Sequence, residues 1–342
     1  MNKRELIEKT LKHESTGITP VSPLLCGITR RLTGVSYPVW STDAKSCADS
    51  FVKAARQFDL DCLTVLTDLS VECSAWGQRV LFPENEAPHP DYSNQLIKTT
   101  DDYGKIVRVD WKTSDRMRFY VEVCRLIVNE IGGEMPVFAF VFGPLGTLSM
   151  CRGQQDMFMD MYDCSEKVAA ACNEVTQTLA EYTEAVCDTG VDGVMLDTLF
   201  ASGSIMSKNM WREAEGEQSR MLAETIRKKG KKVLIHNCGQ KIYFDAQIEY
   251  MQPDGISFLY PPDDCANFCE CKAKYGDKTT LVGCVPPTNA VFGTDDEWES
   301  LCKTQIAEMG GSGFILATGC EYPANAEFGR AKAMVEIARG KA

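Results

Sequence analysis

Two short apolar stretches, Val233-Leu-Ile-His-Asn-Cys-Gly239 and Gly313-Phe-Ile-Leu-Ala-Thr-Gly-Cys320, have the pattern of buried strands that end in metal-binding side chains. An unbroken apolar run of this length is typical of a parallel strand that helices cover on both faces. His236 and Cys238 are two residues apart, so both side chains leave an extended chain on the same side. Cys320 follows the second run at the corresponding place.

These three side chains are suitable ligands for zinc. One imidazole and two thiolates on neighbouring strand ends would give zinc three protein ligands and leave its fourth position open. Because structural zinc sites are usually closed by four protein ligands, the set predicts a catalytic site. The alternative is a buried core histidine with unrelated thiols, since a chain with 16 cysteines and three histidines also produces this spacing by chance.

Further apolar runs alternate with helical patterns and predict an α/β fold, a TIM (β/α)8 barrel that forms a single domain over residues 1–342. The eight predicted strands are 20–27, 62–68, 136–143, 193–198, 231–235, 255–260, 280–285 and 313–318. Apolar residues at helical spacing predict an N-terminal helix over 3–13. The stretch 80–113 predicts a β-hairpin inserted after the second strand, and 143–146 predicts a tight turn after the third.

Composition narrows the location and the partners. The chain has no apolar run near the roughly 20 residues that cross a bilayer, and its charged start lacks the apolar segment of a secretory signal. We therefore expect a cytoplasmic protein, with no membrane partner. Sixteen scattered cysteines favour a strongly reducing cytoplasm, such as that of an anaerobe. The net charge of −12 argues against nucleic acid and anionic membranes as partners.

In a barrel of this kind the active site lies at the carboxyl ends of the strands. Besides the predicted zinc ligands, those ends carry Asp68, Gly143, Asp197 and Tyr260. We predict catalytic roles for the two aspartates and cofactor contacts for Gly143 and Tyr260. An aspartate at a strand end can also simply cap the following helix, and this alternative stays open for both.

The ligand set itself favours one kind of chemistry. Two thiolates leave zinc electron-rich, so it polarises a bound water poorly, and hydrolases usually prefer His and carboxylate ligands. Zinc can still hold a substrate thiol as a thiolate at neutral pH, which makes it a strong nucleophile toward alkyl groups. Alkylation of a thiol is therefore favoured over hydrolysis.

The chain resembles the uroporphyrinogen decarboxylase superfamily, and within it the zinc-dependent methylcobamide:coenzyme M methyltransferases. The specific part of the resemblance is Ile235-His-Asn-Cys-Gly239 with Ile315-Leu-Ala-Thr-Gly-Cys320, and Phe142-Gly-Pro-Leu-Gly146 is among the further matches. One departure concerns the Arg-Gln-Ala-Gly-Arg segment with which true decarboxylases grip substrate carboxylates. Here the corresponding region is Cys26-Gly-Ile-Thr-Arg-Arg31, which argues against porphyrin decarboxylation.

The resemblance implies a methyl group that passes between a corrinoid on a separate small protein and a small thiol-type compound bound at zinc, as in methanogenesis and other one-carbon metabolism. Methylcobalamin would come from that partner corrinoid protein, because the chain lacks a corrinoid-binding Asp-x-His-x-x-Gly. The direction of transfer and the fourth zinc ligand stay open. Two rival functions are a metal-free decarboxylase that uses Asp68 and a non-catalytic barrel that binds the corrinoid protein.

Overall fold

The computed structural model describes residues 1–341 and is built around a parallel seven-stranded sheet. The strands are β1 Leu63–Val65, β2 Val80–Leu81, β3 His89–Pro90, β4 Val137–Phe142, β5 Gly193–Asp197, β6 Lys232–Asn237, β7 Gly255–Phe258, β8 Thr280–Val285 and β9 Phe314–Thr318. The parallel sheet has the order β1-β4-β5-β6-β7-β8-β9, and β2 and β3 form a separate antiparallel pair. Nearly every residue of the seven parallel strands is buried, as the unbroken apolar runs predict.

The two edges of the sheet are joined by the segment around Val21. On one side, the Ser22 amide donates to the Leu316 carbonyl (3.0 Å) and the Leu316 amide donates to the Pro20 carbonyl (2.8 Å). On the other side, the Asp61 amide, just before β1, donates to the Val21 carbonyl (3.0 Å). The sheet therefore curls round on itself in a TIM-like fold.

The predicted first strand, 20–27, is reduced to this single bridge between Val21 and Leu316. Pro20 and Pro23 have no N–H group, so the run cannot complete a regular ladder. Side chains from the segment still help to fill the interior. The residues that line its inner layer come from all seven parallel strands and from this segment: Ser22, Leu24, Cys62, Thr64, Phe138, Met195, Leu234, Ser257, Val282, Ile315, Ala317 and Thr318.

Helices cover the outside of the sheet. They are α1 Lys3–Leu11, α2 Arg30–Thr33, α3 Tyr37–Trp40, α4 Ala44–Gln57, α5 Asp115–Ile131, α6 Pro144–Arg152, α7 Gln154–Asp163, α8 Ser165–Asp188, α9 Lys208–Trp211, α10 Glu217–Lys228, α11 Phe244–Met251, α12 Phe268–Tyr275, α13 Asn289–Phe292, α14 Asp295–Met309 and α15 Phe328–Ala338. A π turn over Arg212–Gly216 joins α9 to α10. Within residues 1–341, no helix has both the length and the apolar character that crossing a membrane requires.

The insertion after β1 differs from the hairpin that the sequence predicts over 80–113. Only β2 and β3 pair, and 105–111 contains no strand. The backbone of this second part is bound by α8 instead, because the Val109 amide donates to Thr178 Oγ1 (3.0 Å) and the Arg108 amide donates to a carboxylate of Glu174 (2.6 Å). Alternating apolar residues therefore follow a helix surface here, and they do not form a strand.

The predicted tight turn at 143–146 is the start of helix α6. Gly143 is its N-cap and Pro144 occupies the first helical position, where the missing N–H costs no hydrogen bond. Gly146 packs directly on the ring of Phe142, since a Cβ at this position would lie 2.5 Å from a ring carbon. The Gly-Pro-Leu-Gly sequence thus combines a helix start with a close helix–strand contact.

Candidate metal centre and active site

The structure brings together the three side chains that the sequence predicts as zinc ligands. His236 lies in β6, Cys238 follows one residue after the strand ends, and Cys320 follows β9 by two residues. One ligand atom from each lies within 4.8 Å of the other two. His236 is buried, whereas both cysteines are partly exposed.

Ser257 in β7 orients the imidazole. Its Oγ lies 2.9 Å from Nδ1 of His236, a hydrogen bond that leaves Nε2 as the nitrogen available to a metal. A hydrogen bond to the second ring nitrogen is the usual way in which proteins fix the tautomer and orientation of a metal-binding histidine. Phe140 contacts the ring from the neighbouring side, with 6.1 Å between the two ring centroids.

The two sulfurs and the imidazole are coupled through hydrogen bonds. The hydrogen bond from Cys238 and the neighbouring His236 lower the pKa of the Cys320 thiol, although burial opposes this effect. The Cys320 thiolate in turn raises the pKa of Cys238. Burial lowers the pKa of His236, but the hydrogen bond to Cys320 and the charge of Asp197 outweigh it and raise that pKa. A divalent cation bound between these side chains would stabilise both sulfurs as thiolates.

The donor set fits zinc. Ligand atoms around a tetrahedral zinc lie roughly 3.3–3.8 Å apart, given metal–ligand distances of about 2.0–2.3 Å, and the present separations are compatible with that size. Imidazole and thiolate are ligands that zinc prefers over the harder divalent ions. Among residues 1–341, no fourth His, Cys, Asp or Glu joins this group. The residues present would therefore hold a zinc ion with one position open to a ligand from the cavity.

A cavity of about 290 Å³ opens over the three side chains. Its lining residues are Leu24, Cys26, Leu66, Thr67, Asp68, Leu69, Ser70, Ala87, Pro88, His89, Pro90, Tyr92, Phe140, Met150, Asp197, Leu199, His236, Cys238, Cys320 and Glu321. Most of them are apolar. One wall comes from the insertion after β1, where the rings of His89 and Tyr92 stack with centroids 5.8 Å apart.

Asp197, at the end of β5, lines this cavity beside His236. One carboxylate oxygen accepts a hydrogen bond from the Leu199 amide (2.9 Å), so the side chain also closes its own turn. Burial raises the pKa of Asp197 to about 6, although His236 and the Leu199 amide act against this shift. The carboxyl group can therefore exchange a proton near neutral pH.

Asp68 also lines the cavity, but its carboxylate is engaged within the protein. It accepts a hydrogen bond from the Ser70 amide (2.9 Å) and forms an ion pair with Arg116 on α5. Both side chains of the pair are almost completely buried. Arg116 also donates to the Ser41 carbonyl oxygen, so the ion pair connects three parts of the chain. Neither aspartate caps the helical segment that follows it, since the N-caps there are Glu72 and Ser207; each instead binds the backbone amide two residues ahead.

Gly143 and Tyr260 do not line the cavity. Gly143 lies directly under Asp197: its amide donates to the Asp197 carbonyl oxygen (3.0 Å), and a Cβ would lie 2.4 Å from that oxygen. Tyr260 lies two residues past β7 and is 41% exposed.

Two buried glutamates, Glu72 and Glu215, and the partly buried Glu321 lie at this end of the barrel, and the sequence pattern does not identify them. Burial raises the pKa of Glu72 to about 8, that of Glu215 to about 7 and that of Glu321 to about 7. The carboxylate of Glu215 accepts a hydrogen bond from the Leu145 amide in the first turn of α6 (2.9 Å). No periodicity signals such residues, since a Glu in a helix or loop is normally exposed. Glu321, directly after a predicted zinc ligand, is the one whose position offered a clue.

Comparison with known proteins gives consistent results. Residues 2–340 match the family model described as Uroporphyrinogen decarboxylase (URO-D). A uroporphyrinogen decarboxylase from Neisseria gonorrhoeae (strain NCCP11945) is 19% identical over 300 residues, 83% of this chain and 80% of that protein. Among solved structures, a methyltransferase from Methanosarcina mazei superposes with a TM-score of 0.84 at 18% identity, covering 99% of both chains. A B12-independent methionine synthase from Shewanella sp. W3-18-1 has a TM-score of 0.60 at 11% identity, covering 94% of this chain and 97% of the other.

Proposed function

Because the chain belongs to the uroporphyrinogen decarboxylase family, we propose that it is a methyltransferase of that family, dependent on zinc and linked to a corrinoid. The methyl group would move between a methylcorrinoid and a small thiol-type acceptor or donor bound at zinc. The observation that carries the proposal is the convergence of His236, Cys238 and Cys320 at the base of an apolar cavity. The fold shared with the Methanosarcina mazei methyltransferase supports it.

The zinc ligands would be His236, Cys238 and Cys320, with Ser257 fixing the imidazole. A zinc ion in this set would supply a Lewis acid that holds a substrate sulfur as thiolate at neutral pH. The thiol proton must leave before the sulfur can accept a methyl group. The carboxylate of Asp197 would take it as a base, since it lies beside His236 in the cavity and its pKa is raised to about 6. Asp68 would hold the cavity wall in place through Arg116.

The second substrate would be methylcobalamin carried by a partner corrinoid protein. Tyr260, which is exposed after the end of β7, is the side chain that we propose to contact this corrinoid protein. Gly143 would take part indirectly: its lack of a side chain allows the backbone of Asp197 to lie against it. The apolar cavity walls would exclude water from the reacting sulfur and methyl group.

Decarboxylation is the second candidate function, because the family model and the Neisseria relative are both described as uroporphyrinogen decarboxylase. Two contacts of the region that would grip substrate carboxylates argue against it. Arg30 stacks over the Tyr37 ring, with 4.1 Å between its Cζ and the ring centroid, and Arg31 donates to the Ala326 carbonyl oxygen (2.6 Å). Neither guanidinium lines the cavity.

Zinc analysis combined with a demethylation assay tests the proposal. We expect purified protein to contain about one zinc per chain and to convert methylcobalamin, followed by its absorbance spectrum, when a suitable thiol is added. Cys320→Ser should lose both properties. The control is Cys269→Ser, which removes an exposed thiol that is not one of the three proposed ligands and should leave zinc content and demethylation unchanged. Full activity in zinc-free protein, or no reaction with any thiol, would contradict the proposal.

A further inference from the structure

The charged groups around the cavity have one sign. Asp68, Asp197 and Glu321 line it, and no Lys or Arg does so among residues 1–341. Asp68 is paired with Arg116, and Asp197 lies beside His236, whose imidazole a bound zinc would hold in its neutral form. Glu321 has no Lys or Arg beside it in the cavity. An anionic substrate would meet acidic side chains here, and no side chain with a permanent positive charge would compensate its buried charge.

Arginines that contact cavity-lining residues or follow them closely in sequence are used elsewhere. Arg152, two residues past Met150, forms an ion pair with Asp160 (2.6 Å). The side chain of Arg116 is 9% exposed, and its guanidinium binds Asp68 and the Ser41 carbonyl oxygen. Arg30 and Arg31 bind aromatic rings and carbonyl oxygens, as described above. None of these groups could turn toward a substrate without breaking contacts that the fold already makes.

The backbone amides two residues past Asp68 and Asp197 offer no substitute. The N–H groups at strand ends in this kind of fold often bind phosphate or carboxylate groups of a ligand. Here the Ser70 amide donates to Asp68 (2.9 Å) and the Leu199 amide donates to Asp197 (2.9 Å). The protein's own carboxylates therefore occupy these donors.

The remaining walls are apolar. Phe140 and Met150 form part of them, and the stacked rings of His89 and Tyr92 form the face contributed by the insertion. An aromatic face of this kind accommodates an apolar group or attracts a cation. It does not bind a carboxylate or sulfonate with comparable strength.

We infer that the cavity selects a small substrate without an anionic group: a compound with an apolar body and a neutral or cationic polar end. Thiols and methyl donors that carry a carboxylate, sulfonate or phosphate are excluded by charge. The inference rests on the proposed function only for its statement that the ligand is the methyl-exchanging substrate. The charge preference itself is a property of the cavity and is measured without turnover.

Three matched ligands of one length test the preference: methylthioethanol, methylthioethylamine and methylthioethanesulfonate. Their binding to the zinc-loaded protein is measured by isothermal titration calorimetry. We expect the neutral and the cationic ligand to bind at least about tenfold more tightly than the sulfonate, since like charges placed together in an interface are strongly unfavourable. Met150→Lys places a cation on the cavity wall and should improve sulfonate binding by a similar factor. The control is Met221→Lys on α10, outside the cavity, which should change none of the affinities.

The outcomes separate this inference from the proposed function. Sulfonate binding as tight as that of methylthioethanol, or no binding of any of the three, overturns the inference. An equal gain in sulfonate binding from Met221→Lys also overturns it, because the effect would then be one of net charge. The expected preference together with no demethylation of methylcobalamin by any thiol leaves the cavity's selectivity established and rejects the methyltransferase proposal.

Discussion

Replacing Asp68 with asparagine isolates the buried ion pair with Arg116. The asparagine has nearly the same shape and can still accept from the Ser70 amide, so the main change is the loss of one negative charge beside a guanidinium that is 9% exposed. Removing one partner of a buried ion pair costs about 3–5 kcal/mol, because the other charge stays buried without compensation. We expect Asp68→Asn to lower the free energy of unfolding by that amount.

The corresponding change in melting temperature follows from the size of the chain. With an unfolding entropy of about 2.1 cal/mol/K per residue, 342 residues give about 0.72 kcal/mol/K, so a loss of 3–5 kcal/mol lowers Tm by about 4–7 °C. Thermal unfolding followed by circular dichroism or calorimetry measures this shift. The matched control is Asp49→Asn, which breaks an exposed pair with Lys45 and should lower Tm by less than about 1 °C. Equal shifts in the two variants would refute the reasoning, and Asp68 would then be free to act directly on substrate.

Three further variants test other parts of the site. Ser257→Ala removes the hydrogen bond to Nδ1 of His236 and should weaken zinc binding by about 10–100-fold, measured by competition with a chelator; an unchanged affinity would show that the hydroxyl does not orient the ring. Glu72→Gln should make the free energy of unfolding less dependent on pH. Burial raises the pKa of Glu72 from 4.5 to about 8, so the folded protein binds this proton more tightly than the unfolded chain does. The resulting stabilisation is complete below the unfolded pKa and is lost as pH rises through 8. Urea unfolding between about pH 6 and 9 should therefore show wild-type stability falling more steeply than that of the variant, and parallel curves would contradict the assignment. Gly143→Ala puts a Cβ 2.4 Å from a backbone carbonyl oxygen and should destabilise the protein by about 1–3 kcal/mol, whereas Gly329→Ala, with open space around its Cβ, should stabilise α15 by up to about 1 kcal/mol.

The parallel strands could be predicted because their signal is local. A run such as 136–143 is apolar at every position, which is what burial on both sides requires, and the structure forms β4 over Val137–Phe142. The predicted strand at 20–27 also has an apolar run, but its two prolines limit it to one bridge. The apolar pattern thus predicts where the chain passes through the barrel wall, and the two prolines limit how many backbone hydrogen bonds the segment forms there.

The site was only partly predictable, since some of its residues are positioned by the strand order and others by the packing of distant segments. The proposed zinc ligands lie at strand ends, where chain order and barrel topology bring them together. The partner of Asp68 could not be found this way: Arg116 is an ordinary helical arginine in the sequence, and only the packing of α5 against the sheet brings it to the carboxylate. The same holds for the stacked pair of His89 and Tyr92, which depends on how the insertion folds back over the cavity.

The register of three strands explains how the imidazole of the proposed metal site is positioned. Asp197, His236 and Ser257 are direct neighbours across β5, β6 and β7, so their side chains leave the sheet on the same face. A slip of one residue in β6 would turn His236 away from the barrel interior and would exchange the side chains packed inside the barrel with those packed against the helices, which the close packing on both faces opposes. The imidazole therefore takes its position from the barrel core, whereas Cys238 and Cys320 lie in the loops that follow β6 and β9. It follows that Cys320→Ser should reduce zinc affinity far more than fold stability, whereas Asp68→Asn should reduce fold stability far more than zinc affinity.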